Sequence, residues 1–179
     1  MSNIIILAGS ERKDGNTDML VDAFKKGAAK KNKVEVISVR SHDINPCIGC
    51  NSCFTRPGNE CFQKDDMQMV YEKLKTADVL VIASPVYFYG ISAQLKAIID
   101  RLHTPMRNEF PIKKLALILV GAATLPELFD SIKLQYKLVL SFFHLEDAGM
   151  VLVQGAKDIG DVKNTDGLDR AYELGLSIG

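Results

Sequence analysis

The sequence lacks an excess of charge of either sign, because 22 Lys and Arg residues balance 22 Asp and Glu residues. A balanced chain has no electrostatic preference for nucleic acid or for an anionic membrane surface, so we expect neither as a partner. No apolar run approaches the roughly 20 residues of a transmembrane helix, and the N-terminus has neither the basic start nor the length of a secretory signal. We therefore expect a cytoplasmic protein with a small-molecule partner.

The chain also lacks linkers and low-complexity segments. With 179 residues, 47% of them hydrophobic, it has the size of one compact domain, and we predict a single domain over residues 1–179. Its few histidines, His42, His103 and His144, stand apart, and no Ser-His or His-carboxylate constellation is evident, so no catalytic acid or base is assigned. In a reducing compartment its four cysteines are expected to be thiols or metal ligands rather than disulfides.

The first prominent motif follows the apolar run Ile4 to Ala8, which is typical of a strand buried on both faces. Residues 9–17 read Gly-Ser-Glu-Arg-Lys-Asp-Gly-Asn-Thr and lead into a helix that begins near Thr17. Free N–H groups at the helix start, with the side chains of Ser10, Arg12, Asn16 and Thr17, would suit a phosphate monoester. The alternative is an ordinary strand-to-helix connection with a Thr cap. We call residues 9–17 the phosphate loop.

Two commoner phosphate motifs are missing after this strand. Neither the ending Gly-Lys-Ser/Thr of nucleotide triphosphatases nor the Gly-x-Gly-x-x-Gly of dinucleotide-binding proteins is present. A response-regulator receiver is excluded as well, since Gly9 and Ser10 stand where that class has acidic residues. The expected ligand is a mononucleotide.

Further apolar runs alternate with helical patterns, giving five predicted strands and five helices. Such alternation predicts a doubly wound α/β protein, and we choose the flavodoxin-like parallel sheet in order 2-1-3-4-5 with helices on both faces. Ligands of such sheets bind beyond the carboxyl ends of the strands. The loops after strands one, three and four should therefore converge on one site. Residues 125–143 are predicted to be one helix, and 151–153 the fifth strand.

The loop after strand three, residues 84–90, contains three consecutive aromatic residues, Tyr87, Phe88 and Tyr89. One short loop cannot bury all three rings, so at least one should face a planar ligand or a second subunit, the alternative being packing beneath the loop. Pro85 restricts the backbone and leaves neighbouring polar groups free for a heterocycle. We call residues 84–90 the ring loop; a phosphate at one loop and a planar ring at the other indicate FMN.

These motifs together resemble the NAD(P)H-dependent FMN reductase family of flavodoxin-like proteins. The resemblance rests on Gly-Ser-x-Arg-x-x-Gly-Asn-Thr, Ser-Pro-Val-Tyr and the segment from Ser92 to Arg101, and it covers residues 3–155. It implies that the FMN phosphate is bound by Ser10, Arg12, Gly15, Asn16 and Thr17. It implies ring contacts from Pro85, Val86, Tyr87 and Phe88, with Tyr89 and Gly90 as extensions and Gly121 and Ala122 matching only the position of the family's third loop.

All four cysteines lie in residues 41–64, which we call the cysteine loop. Cys47, Cys50, Cys53 and Cys61 have the spacing C-x2-C-x2-C-x7-C, and thiols two residues apart can bind an iron-sulfur cluster. The pattern resembles the iron-sulfur flavoproteins, a branch of the same family in which this loop binds a [4Fe–4S] cluster. Structural zinc, which usually has two separated Cys-x-x-Cys pairs, and free thiols are the alternatives.

Three functions remain open at this point. The leading hypothesis is an oxidoreductase that passes hydride from NAD(P)H through FMN to a small acceptor such as a quinone or a flavin. The first alternative is an electron relay between a ferredoxin and an acceptor through a [4Fe–4S] cluster and FMN. The second is a flavin-binding interaction protein without turnover. Exposed aromatics also lead us to expect a homo-oligomer.

Overall fold

The computed structural model describes residues 1–178. Within them, five strands form one sheet: β1 (Asn3–Ala8), β2 (Lys33–Ser38), β3 (Val79–Pro85), β4 (Lys114–Val120) and β5 (Glu146–Val153). The helices are α1 (Asn16–Ala28), α2 (Ser52–Thr55), α3 (Met67–Leu74), α4 (Ala93–Arg101), α5 (Asp130–Phe143) and α6 (Gly167–Ser177). Every neighbouring pair of strands is parallel, and their order is β2-β1-β3-β4-β5. The predicted flavodoxin-like topology is confirmed.

Each face of the sheet has its own apolar core. Alternate residues of β1 point to opposite sides, so that Ile5 and Leu7 pack with α3, α4 and α5, whereas Ile4 and Ile6 pack with α1 and α6. Burial on both faces explains why β1, β3 and β4 are almost continuously apolar. Across residues 1–178, no helix is both long enough and apolar enough to span a bilayer.

Two glycines bring α1 and α6 into backbone contact. A Cβ on Gly27 would lie 2.1 Å from the carbonyl oxygen of Tyr172, and a Cβ on Gly175 would lie 2.1 Å from that of Phe24. Real Cβ atoms do not approach a backbone this closely, so only glycine fits at either position. This contact holds the C-terminal halves of α1 and α6 together on one face of the sheet.

Three segments differ from the predicted elements. The helix predicted over residues 125–143 begins only at Asp130 and is preceded by turns over residues 126–129, in which Leu128 and Phe129 are already buried in the core. The fifth strand is longer than residues 151–153, and its polar first half contains an irregularity at Gly149, where φ is +112°. The cysteine loop contains the short helix α2 and a 3-10 turn at Pro57–Asn59.

Candidate functional site

The phosphate loop leaves β1 at the carboxyl edge of the sheet. Gly9 donates its N–H to Ala83 of β3, and the Ser10 hydroxyl, in a residue only 3% exposed, accepts a hydrogen bond from the Arg12 N–H at 3.2 Å. Helix α1 then starts after Gly15 without a side-chain cap. An uncapped helix start leaves backbone N–H groups available to an anion.

Gly15 keeps the inside of this loop open. A Cβ at this position would lie 3.2 Å from the Arg12 Cβ and 3.8 Å from the Ser10 hydroxyl, so any side chain would enter the loop. Thr17 follows in the first turn of α1 and is 2% exposed. The buried hydroxyls, the uncapped helix and the space that a Cβ would fill fit a phosphate group.

Arg40, at the end of β2, was not predicted from the sequence. Its Nη1 donates to the carbonyl oxygens of Ser10 at 2.7 Å and Arg12 at 3.0 Å, and its Nη2 pairs with Asp18 at 2.9 Å. Carbonyl oxygens repel an anion, and Arg40 binds two of them. Arg40 is 28 residues from Arg12, so no local sequence motif links it to the phosphate loop. The predicted strand order could have indicated it, because that order places the end of β2 next to β1.

The loop after β5 closes one side of the phosphate loop and was also missed. The Asn16 side chain donates to the carbonyls of Ala156 and Asp158 and accepts from the N–H groups of Gly160 and Val162. Arg12 donates to the carbonyl of Lys157 at 3.3 Å. The Asn16 amide is thus occupied by protein contacts, so its backbone N–H is the group it can offer to a ligand.

The ring loop contains a tight turn at the rim of the same edge. Tyr87 and Gly90 exchange two backbone hydrogen bonds, and the central residues Phe88 and Tyr89 both have positive φ, +47° and +63°. Positive φ at both positions is typical of a type I′ turn, which favours Asn and Gly rather than aromatic residues. Phe88 is 98% exposed, and Ser131 of α5 holds the turn by a hydrogen bond to the Tyr89 carbonyl.

The third loop lies beside the ring loop. Gly121 bonds to both Val153 and Ala156 through its backbone, and a Cβ on it would lie 3.5 Å from the Cβ of Val86. Gly9 similarly touches Ser92 and Leu95, which follow the ring loop. The structure therefore brings the phosphate loop, Pro85 and Val86, and Gly121 to one edge, while Ala122 is exposed at its margin.

The cysteine loop lies beyond β2 and contacts the end of α4. Cys47 and Cys50 are exposed, Cys53 and Cys61 are half-buried, and all four are free thiols. The Ser52 hydroxyl lowers the pKa of the Cys50 thiol. Across residues 1–178, no three His, Cys, Asp or Glu side chains come close enough to hold a metal ion. The donor set fits a [4Fe–4S] cluster in number and chemistry, but the loop must close for its thiols to bind one together.

A buried ion pair stabilises the C-terminal end of the cysteine loop. The side chains of Arg101 and Asp65 are 3% and 2% exposed and form a salt bridge, and Tyr71 donates to the Arg101 carbonyl at 3.0 Å. Burial opposes ionisation of Asp65, but the Arg101 guanidinium and the Asn45 N–H outweigh it and lower the pKa of that carboxyl. Burial raises the pKa of Tyr71 to about 12.

Comparison with models of protein families identifies the family to which the chain belongs. The model of the family described as NADPH-dependent FMN reductase matches residues 2–156, which include all the strands described above. The chain is a member of the NADPH-dependent FMN reductase family. The resemblance drawn from the motifs is confirmed, and family membership makes the protein an FMN-dependent oxidoreductase that uses NAD(P)H.

Individual relatives of this member of the FMN reductase family indicate which branch of the family it resembles. An iron-sulfur flavoprotein of Methanocaldococcus jannaschii is 33% identical over 190 residues, covering 98% of this chain and 94% of that protein. An iron-sulfur flavoprotein of Methanosarcina thermophila is 33% identical over 118 residues, covering 65% and 59%. A solved NAD(P)H:quinone oxidoreductase from Methanothermobacter marburgensis has a TM-score of 0.74 at 15% identity, with 99% of each chain covered, and shows the shared fold.

Proposed function

We propose that the protein transfers hydride from NAD(P)H through FMN to a small acceptor such as a quinone or a free flavin. The observation that carries this proposal is the convergence of an anion-binding loop and an aromatic loop at one edge of the sheet. Bound FMN supplies the capacity to accept a hydride and to pass reducing equivalents on. The chain itself has to bind, orient and shield the cofactor.

The phosphate loop binds the phosphate end of FMN in this proposal. The hydroxyls of Ser10 and Thr17 and the N–H groups after Gly15 donate to the phosphate oxygens. Arg12 adds charge from the rim. Arg40 holds two carbonyls of the loop, so that donors rather than acceptors meet the anion.

The ring loop lies along the isoalloxazine. Pro85 and Val86 contact its face and its polar edge, and Tyr87, Phe88, Tyr89 and Gly90 form the rim. Gly121 and Ala122 approach from the third loop. Backbone donors near the ring stabilise the negative charge that the flavin gains on reduction, and no side chain of the chain is required as acid or base.

NAD(P)H consumption tests this proposal. Protein loaded with FMN is mixed with NADPH or NADH and a quinone, and the rate is compared with that of free FMN at the same concentration. We expect consumption well above the free-flavin rate. A rate equal to that of free flavin would remove the enzymatic proposal and leave a flavin-binding interaction protein.

A second function is favoured by the cysteines and by the M. jannaschii relative. We propose that Cys47, Cys50, Cys53 and Cys61 bind a [4Fe–4S] cluster and that the protein relays electrons between a ferredoxin-type donor and the acceptor. The chain has all four thiols in one loop, and the relative that covers nearly the whole chain is named an iron-sulfur flavoprotein. The cluster would supply one-electron transfer beside the two-electron chemistry of FMN.

Iron analysis and one double variant separate the two functions. Protein purified without oxygen is assayed for iron and acid-labile sulfide, and Cys50→Ser with Cys53→Ser is compared with Arg56→Ala, a control in the same loop. If NADPH-dependent quinone reduction survives in the iron-free double variant, the hydride route stands alone. If it is lost while FMN stays bound, the relay is required.

We also propose that the protein is a homodimer. Helix α5 exposes Leu134, Leu138 and Phe142 along one side, at 61%, 63% and 50% of their surfaces. Beside this side lies an apolar cavity of about 320 Å³ between α4 and α5. A second copy that covered this face and the ring loop would remove apolar surface from water.

A further inference from the structure

The end of α4 and the turn that follows it contact the cysteine loop at several separate points. Arg101 donates to the Asn45 carbonyl at 3.1 Å and pairs with Asp65, which itself accepts the Asn45 N–H at 2.9 Å. The His103 ring lies 6.0 Å from the ring of Phe54, and Thr104 donates to the Asn59 carbonyl at 3.2 Å. Arg101 of α4 thus contacts Asn45 and Asp65 at the two ends of the loop region, and the following turn contacts Phe54 and Asn59 within it.

These attachment points lie next to the cysteines in sequence. Cys47 follows Asn45 by two positions, Cys53 precedes Phe54, and Cys61 follows Asn59 by two positions. Three of the four thiols are therefore within two residues of a contact with Arg101 or with the turn after α4. Cys50 lies at the free middle of the loop and can move when the loop closes.

Arg101 has a donor that nothing in the described residues uses. Its Nη1 binds Asn45 and Asp65, but its Nε is buried and has no hydrogen-bond partner within residues 1–178. Buried N–H groups are rarely left unpaired in folded proteins, so this one indicates a missing acceptor. Burial lowers the pKa of the Arg101 guanidinium, but its ion pair with Asp65 outweighs burial and raises that pKa above its ordinary value.

We propose that Arg101 is a positioning residue for the iron-sulfur cluster: it links Asn45, near the start of the cysteine loop, to Asp65, just after its end, and donates its free N–H to cluster-bound sulfur. This inference rests on the proposed cluster function. A cluster held by four thiolates carries net negative charge, and reduction adds another electron. Hydrogen bonds to its sulfurs and nearby positive charge favour the reduced form, so Arg101 raises the reduction potential.

Variants of Arg101 test this role in full-length, FMN-loaded protein purified without oxygen. Arg101→Lys retains a positive charge to pair with Asp65. It lacks the Nε donor and the second guanidinium N–H that binds the Asn45 carbonyl. The double variant Arg101→Gln with Asp65→Asn removes both charges and leaves no uncompensated ion in the core. Arg170→Gln is the control, because Arg170 lies on α6, pairs with Asp166 and donates to the Leu152 carbonyl, and these contacts do not involve the cysteine loop.

The readouts are iron and sulfide content, the rate of iron release to a chelator, and the midpoint potential of the cluster in a dithionite titration. We expect both Arg101 variants to release iron on the order of 10- to 100-fold faster than the wild type. In Arg101→Lys the remaining cluster should have a more negative potential, which a purely structural role would not produce. Arg170→Gln should match the wild type in all three.

Each contrary result has its own meaning. If wild-type and Arg101 variants hold iron equally and at the same potential, the role of Arg101 is overturned and the cluster function stands. If wild-type protein prepared without oxygen contains no iron, both the cluster function and the role of Arg101 are overturned, and only the FMN chemistry remains. FMN content and thermal unfolding of each variant show that loss of iron is not loss of the fold.

Discussion

At the scale of single residues, Arg40 is the side chain whose removal should separate phosphate binding from ring binding. Arg40→Ala frees the carbonyls of Ser10 and Arg12, which would then face an incoming anion. Loss of charge-assisted hydrogen bonds costs about 1.5–3 kcal/mol, so we expect FMN affinity to fall roughly tenfold or more. Riboflavin, which has no phosphate, should bind as before.

Fluorescence titrations with both flavins measure this difference. Arg170→Ala serves as the control, since Arg170 is an arginine that contacts Asp166 and Leu152 and not the phosphate loop. Equal losses for FMN and riboflavin would mean that Arg40 stabilises the fold generally rather than the phosphate site.

The aromatic turn of the ring loop should be less stable than a turn built from ordinary residues. Each non-glycine residue in the left-handed region costs roughly 1–2 kcal/mol. Phe88→Asn with Tyr89→Gly fits a type I′ turn and keeps the backbone bond from Ser131, so we expect a higher melting temperature of the FMN-free protein. FMN affinity should fall, because the rim loses both rings.

Thermal unfolding and FMN titration of the same preparation check both halves of this prediction. A variant that is stabilised but binds FMN with unchanged affinity would show that Phe88 and Tyr89 serve another partner, such as the second subunit. A variant that melts at a lower temperature would refute the strain.

The residues of the phosphate loop and the ring loop could be predicted because each motif is contiguous and follows a recognisable strand. The roles of Arg40 and Arg101 could not, since their side chains bind backbone carbonyls of segments distant in sequence. Asn16 was predicted as a ligand from its place in the motif, yet its side chain binds the loop after β5. The local sequence pattern identifies hydrogen-bond donors, but it does not show which acceptor each donor contacts.

At the scale of elements, the crossing of α1 and α6 is the contact most sensitive to a single methyl group. Gly175→Ala places a Cβ against the backbone of Phe24 and Ala28, which cannot rotate away. Overpacking of this kind typically costs about 1–3 kcal/mol, partly offset by the better helix propensity of alanine. We expect a net decrease in the free energy of unfolding.

Urea unfolding monitored by circular dichroism measures the effect. Lys26→Ala, an exposed position on α1, is the control and should change stability little. Unchanged or increased stability of Gly175→Ala would show that the helices can separate without cost.

Element boundaries were less predictable than element types. The strands β1, β3 and β4 are apolar on both sides and were found directly, whereas the first half of β5 is polar and exposed at the sheet edge. Leu125, Leu128 and Phe129 continue the apolar pattern of α5 although residues 126–129 form turns, because Leu128 and Phe129 are buried in the core without being helical. Tertiary position, rather than periodicity, decides both cases.

At the scale of the whole molecule, the exposed side of α5 predicts the assembly state. Leu138→Glu places a charge in the middle of the stripe formed with Leu134 and Phe142, and burial of an unpaired charge is costly. We expect wild-type protein to sediment as a dimer and the variant as a monomer. Lys137→Glu changes the residue before Leu138, which is not part of this stripe, and should remain dimeric. A monomeric wild type would contradict the proposed dimer.

The central claim is that the edge formed by the phosphate loop and the ring loop binds FMN. A crystal structure of the protein with FMN tests it most directly. We predict phosphate density within hydrogen-bond distance of the Ser10 hydroxyl and the first N–H groups of α1, with the ring along Pro85 and Val86. Density for FMN at another place on the molecule would contradict the claim.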